Sequence, residues 1–238
     1  MSSEKIEKYR TKRDMEVIEN RINGKSILDA GGGDGRIAIS LAKKGYDVTL
    51  IDTDEERLEE ARERAEDENV DIEVKEEDIK DLDFPQESFD TVIAMRDVLN
   101  YCGKEYEKAF AELVRVCKEN GKIIVSCGSK YGYLLKNQDI DFLYNIIVEG
   151  EEFESADGFT FKALTMDDLE NLFKKYDITL VNRSGDSIIV QVMGGSEEED
   201  IDMERVEQLD EILSNKDEML DFFDHIIVVG RKEKYINF

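Results

Sequence analysis

Ser26-Ile27-Leu28-Asp29-Ala30-Gly31-Gly32-Gly33-Asp34-Gly35-Arg36 is the stretch that decides the fold. Its first five residues read as a short buried strand, which the glycine cluster breaks. Apolar residues resume with helical spacing over 37–44, and Gly45 stops that helix. A turn bare of Cβ atoms between a strand and a helix lets a ligand approach the backbone closely. The exposed N–H groups at the helix start attract polar or negative groups.

Outward from this unit the alternation repeats. Residues 46–51 read as a strand, 54–66 as a helix rich in Glu and Arg, and 70–74 and 89–95 as strands. A helix over 105–117 and a strand over 122–126 follow, separated by a break at Gly121. Strands and helices in alternation with short connections predict an α/β fold with a doubly wound, mostly parallel sheet. Upstream, residues 3–23 form a charged, weakly amphipathic helix ended by Gly24. Beyond Gly128 the rhythm fails, and residues 129–164 are aromatic and irregular. Thr165, followed three residues later by Asp168, opens a helix over 165–176. Strands are expected over 177–182 and 225–230, with 187–192 a candidate for another and 200–223 acidic and helical. The reading is one domain over 1–238. It comprises an N-terminal helix (1–24), a core (25–128) and two excursions (129–164 and 193–224) forming a lid or substrate region.

The length of 238 residues suits one sizeable α/β domain. Acid dominates its charge, with 58 acidic against 32 basic side chains and a net charge of −26. Such a surface repels phosphate backbones, so no nucleic-acid partner is expected. Cys102, Cys117 and Cys127 contain no C-x-x-C pair, so neither a disulfide framework nor a zinc site is expected. The N-terminus is charged and no apolar run approaches ~18 residues, which predicts a cytoplasmic chain with no membrane span.

The glycine spacing narrows the ligand. A dinucleotide fingerprint needs G-x-G-x-x-G, and counted from Gly31 its last position is Arg36. Counted from Gly33 it needs Gly35 and then Ala38, a tolerated variant, so NAD is disfavoured but left open. Gly31, Gly33 and Gly35 with Asp29 upstream instead resemble the D-x-G-x-G-x-G motif of class I S-adenosylmethionine (SAM) methyltransferases. Asp52 at the end of the second strand, Asp78-Ile79 after the third, Phe89–Met95 and Glu112–Gly121 follow in that family's order. The resemblance covers about 25–128. It implies a Rossmann-like seven-stranded sheet with an antiparallel last strand and helical lid insertions. It also implies SAM as cofactor, held by Asp29, Gly31, Gly33, Gly35 and Met95. Asp52 would take the ribose hydroxyls, and Asp78 and the Ile79 N–H the adenine. Arg13, or Arg10 beside it, would reach the cofactor carboxylate.

What the fourth strand leads into separates rival families. Base-methylating enzymes carry [DN]-P-P-[YF] there to hold a flipped base. This chain has Met95-Arg96-Asp97-Val98, and its only proline is Pro85. Clustered carboxylates for a metal-dependent catechol-type enzyme are missing, so no metal is expected. The D-S-x-D-P loop of aminopropyltransferases is also missing. What remains resembles the ubiquinone/biotin-type methyltransferases, acting on a small-molecule acceptor. Tyr101 and His225 are the candidate catalytic residues, and Tyr131 and Tyr133 the candidate acceptor contacts. Each has a packing role as its alternative. The run Glu197–Asp200 favours a cationic acceptor if it faces the pocket and says nothing if it faces solvent. Two other functions stay open: a SAM-binding regulatory module without catalysis, and an aminopropyltransferase.

Overall fold

The computed structural model describes residues 3–136, 139–150, 152–154, 160–186, 188–189, 202–214 and 216–234. After helix α1 (Ser3–Glu19), strands and helices alternate: β1 (Ser26–Ala30), α2 (Arg36–Ala42), β2 (Asp47–Asp52), α3 (Glu55–Asp67), β3 (Glu73–Glu76) and β4 (Phe89–Ala94). A single turn α4 (Val98–Tyr101), α5 (Tyr106–Val116) and β5 (Cys117–Gly128) complete that half. The first excursion holds two short helices, α6 (Tyr133–Lys136) and α7 (Ile140–Tyr144), and a small hairpin of β6 (Phe153–Glu154) and β7 (Thr160–Phe161). Then come α8 (Met166–Lys175), β8 (Ile178–Asp186), α9 (Met203–Ser214), a 3-10 turn (Asp217–Phe222) and β9 (His225–Lys232).

Seven strands form one sheet in the order β3-β2-β1-β4-β5-β9-β8. All are parallel except β9, which enters antiparallel between β5 and β8. This is the expected doubly wound sheet with its antiparallel last strand. Successive residues of the central strands bury into opposite faces, as a sheet covered on both sides requires. Leu28, Val92, Ile123 and Val228 join Phe110, Leu113 and Phe173 on one face. Ile27, Ile93, Ile124 and Val229 join Ile18, Leu41 and Leu58 on the other.

Local chemistry sets the boundaries. Asp54 caps α3 by accepting from the Glu56 and Arg57 N–H groups at 3.1 and 3.2 Å. Thr165 and Asp168 cap α8 reciprocally, as their spacing predicts. Strand β3 starts at Glu73 rather than at residue 70, because the Val70 N–H donates to the Ala65 carbonyl and closes α3 with Asn69 in the left-handed region. Strand β8 runs on to Asp186, since β9 offers a partner as far as His225. Residues 188–189 are helical rather than extended, and the rest of the 187–192 candidate lies outside the described residues. The run Glu197–Asp200 also lies outside them.

Asn100 fastens the first excursion to the core. Its side-chain N–H groups donate to the Gly128 and Lys162 carbonyls at 3.1 and 2.7 Å, and its oxygen accepts from the Gly128 N–H at 2.9 Å. Helix α9 belongs to the second excursion and packs on α1. There Tyr9 donates to Asp210 at 2.6 Å, and Lys12 pairs with Glu207 at 2.6 Å.

Candidate active site

The sheet reverses its winding between β1 and β4, and ligands in such sheets bind beyond the carboxyl ends of the strands at that point. A cleft of ≈ 260 Å³ lies there, with Asp29, Gly31 and Gly32 on the β1 side and Met95, Arg96 and Asp97 on the β4 side. Arg10, Arg36, Arg57 and His225 close around it.

The glycine turn is held from β2. The Gly31 and Gly32 N–H groups both donate to the Ile51 carbonyl, at 2.7 and 3.1 Å. The Gly33 N–H donates to the Asp52 carboxylate at 2.9 Å, and the other Asp52 oxygen accepts from the Asp54 N–H at 3.1 Å. Asp52 therefore fixes the turn and the start of α3 together. Gly31 has φ of 70°, and a Cβ there would lie 2.5 Å from Val98 Cγ2. Gly31→Ala is expected to cost roughly 1–2 kcal/mol in left-handed strain, lowering Tm by about 2–8 °C. Thermal unfolding checks this, and an unchanged Tm would show that the turn relaxes freely.

Asp29 sits in β1 between Leu50 and Ile93 and is 1% exposed. Burial pushes its carboxyl up to about 7, against the opposing pull of Arg36 and the Ala38 N–H. Its Oδ2 has no hydrogen-bond partner among the described residues.

A buried ionic network links the cleft to four separate segments. Arg96 meets Asp14 at 2.9 Å, Asp186 at 3.0 Å and His225 Nδ1 at 3.3 Å. Asp14 also takes Arg36 at 3.0 Å, and Arg10 pairs with Asp224 at 2.6 Å. The His225 Nε2 lies 3.0 Å from Asp97 Oδ2. Because a guanidinium only donates, Nδ1 accepts from Arg96, and Nε2–H donates to Asp97. Burial alone would lower the affinity of His225 for a second proton, but the carboxylates of Asp97 and Asp224 outweigh it and raise that affinity.

The expected site residues are distributed as follows. Asp29, Gly31, Met95 and His225 line the cleft. Gly33 and Gly35 complete its glycine turn, and Asp52 anchors that turn. Asp78 follows β3, half-exposed, and accepts from the Lys80 N–H at 2.9 Å. Ile79 is buried in the core beside Ile51 and Leu82. Arg13 turns to Glu16 at 3.1 Å and is not among the cleft residues, whereas Arg10 is. Tyr131 packs towards Phe222, with ring centroids 6.2 Å apart. Tyr101 and Tyr133 both pack on Phe161. Sequence reasoning missed Asp14, Arg36, Arg96, Asp97, Asp186 and Asp224 as site residues. The one available signal was the charged pair Arg96-Asp97 directly after a switch-point strand. Among the described residues no group of three or more His, Cys, Asp or Glu side chains is placed to hold a metal ion. Nor is any described helix long and apolar enough to cross a membrane.

Comparison with known proteins agrees with this geometry. Residues 27–121 match the family model of a methyltransferase domain. Phosphatidylethanolamine N-methyltransferase of Cereibacter sphaeroides is 36% identical over 104 residues, 43% of this chain and 50% of that protein. The ubiquinone biosynthesis O-methyltransferase of Rickettsia conorii is 32% identical over 136 residues, 56% of this chain and 46% of that one. The matches thus span about half the length of these relatives. A solved SAM-dependent methyltransferase from Methanosarcina mazei shares the fold, with a TM-score of 0.66 at 19% identity over 92% of this chain and 98% of that one. Residues 27–121 are thus similar to a methyltransferase domain, and the sheet order, the glycine turn and the Asp52 anchor accord with that match.

Proposed function

We propose that this chain transfers a methyl group from SAM to a small-molecule acceptor. The observation that carries the reading is the glycine turn at the switch point, held by the Asp52 carboxylate and bordered by the buried Asp29 Oδ2, which has no hydrogen-bond partner among the described residues. The bare glycine backbone lets a nucleoside approach closely. The Asp29 carboxyl beside it suits a ligand carrying a sulfonium and an ammonium. In this reading Asp52 and the glycine turn hold the nucleoside, Asp78 and Ile79 border the base, and Arg10 meets the carboxylate. SAM supplies a methyl group already activated for in-line displacement. The residues around Asp97 and His225 have to orient the acceptor and exclude water, and such positioning supplies much of the acceleration.

The net charge of −26 supports an acceptor other than nucleic acid. The relatives named above are named for an amine lipid and for O-methyl transfer, so their names leave both nitrogen and oxygen as acceptor atoms.

Asp52→Ala tests the cofactor assignment. Losing charge-assisted hydrogen bonds of about 1.5–3 kcal/mol weakens SAM binding about 10- to 100-fold by calorimetry. Undiminished affinity would sink the assignment. Formation of S-adenosylhomocysteine across amines, phenols, thiols and carboxylates separates catalysis from a purely regulatory module.

A further inference from the structure

Asp97 begins α4 yet does not cap it: its φ is 71° and its side chain makes no hydrogen bond to the helix. Aspartate at a helix start ordinarily satisfies the free N–H groups there. Here the cap is forgone, and two consecutive non-glycine residues, Arg96 and Asp97, sit at positive φ. Strain of this kind gathers at functional sites. The carboxylate turns instead to the space beyond β4. Oδ2 accepts from His225 at 3.0 Å, and Oδ1 is buried without a hydrogen-bond partner among the described residues.

Oδ1 faces the bare side of Gly128. A Cβ built there would lie 2.6 Å from Oδ1 and 3.1 Å from Phe161 Cζ. Asp97 Oδ1 and the Phe161 ring thus both press on Gly128, which puts the carboxylate oxygen and the ring on one side of that glycine. Phe161 carries Tyr101 against it, centroids 5.1 Å apart at 88°, and Tyr133 at 6.1 Å and 77°. Tyr101 is 42% exposed and opens this aromatic wall to solvent. A buried carboxylate oxygen demands a donor, and ring faces beside an anion favour a cation. A phenol meets only the first demand, and a carboxylic acid is repelled when ionised. An ammonium group meets both.

We propose that the methyl acceptor is an amine, bound as its ammonium between Asp97 Oδ1 and the wall of Tyr101, Tyr133 and Phe161. This rests on the methyl-transfer reading above. The amine gives up one proton through the Asp97 carboxylate to water and uses the freed lone pair to bond the methyl carbon. The electron pair of the broken C–S bond stays on sulfur, which leaves as a thioether.

His225 is the chain's single histidine, so its imidazole resonance is an unambiguous reporter beside Asp97. The whole chain is titrated with ethanolamine, phenethylamine and spermidine, and with the neutral counterparts ethylene glycol and phenethyl alcohol. The cations are expected to shift the His225 resonance saturably and the alcohols to leave it in place. Asp97→Asn is expected to weaken the binding of the cations at least about tenfold. Tyr101→Leu, at an exposed position that folding tolerates, weakens it about threefold or more. Thioether formation from SAM then follows with amines and not with the matched alcohols. No shift with any cation, or equal binding by both variants, overturns the proposal. Methylation of phenols or carboxylates in place of amines, with SAM binding intact, overturns it while the methyl-transfer reading stands. Failure of the unmodified chain to bind SAM strikes that underlying reading instead.

Discussion

Arg96→Met is expected to lose about 3–5 kcal/mol of folding stability, the range for removing one partner of a buried ion pair. The guanidinium is surrounded by Asp14, Asp186 and His225, and its side chain is 17% exposed. Burial opposes its charge, but the carboxylates of Asp14 and Asp186 outweigh this and hold it firmly protonated. Methionine fills the same volume and removes the charge, leaving the carboxylates with a repulsion that Arg96 had been offsetting. A urea midpoint shift checks this, together with a fall in Tm of roughly 6–20 °C. Adding Asp186→Asn should recover part of the loss, because it removes one of the stranded charges. A loss below about 1 kcal/mol would place the network in the class of solvated surface pairs.

The network also explains why some of this protein could be read from its sequence and some could not. The turn Gly31–Gly35 was legible because it is local: strand, glycines and helix follow one another in a single stretch. Asp52 was legible because strand length fixes where a strand ends. Asp14, Arg96, Asp186 and Asp224 were not, since burial of a charge depends on which distant charge meets it. Three segments have to be folded together before Asp14 acquires Arg36 and Arg96. Arg36 shows the difference well. In the sequence it breaks a dinucleotide fingerprint, and in the structure it begins α2 and holds α1 through Asp14. Likewise Arg13 and Arg10 are equivalent by composition, and only the docking angle of α1 sends Arg10 to Asp224 and Arg13 to Glu16. The start of β3 was blurred for a different reason. Its sequence Glu73-Val-Lys-Glu76 is an edge strand with one apolar residue, and nothing in it outweighs the capping of α3 by Val70.

SAM affinity is expected to rise about tenfold per pH unit as pH climbs towards 7, approaching about 100-fold between pH 5 and pH 7.5. The cause is Asp29. Burial raises its carboxyl to about 7, so at pH 5 the empty cleft holds it neutral. A ligand that brings a sulfonium and an ammonium into the cleft favours the ionised carboxylate, and below pH 7 part of its binding energy must expel that proton. Stability runs the opposite way. A carboxyl whose folded value lies above its unfolded one of 3.8 keeps a proton in the folded chain that the unfolded chain has already lost. Its stabilising contribution is therefore complete below that unfolded value and disappears as pH rises through about 7. Asp29→Asn separates the two effects. It should flatten the pH dependence of SAM affinity, and make the ligand-free chain more stable than the unmodified one by a margin that grows from pH 5 to pH 8. Calorimetric titration and thermal unfolding across that range measure both. A slope that survives in Asp29→Asn would move the responsible proton to His225, whose second proton Asp97 and Asp224 favour against the cost of burial. The histidine would then be the group that couples binding to pH, with Asp29 reduced to a packed strand residue.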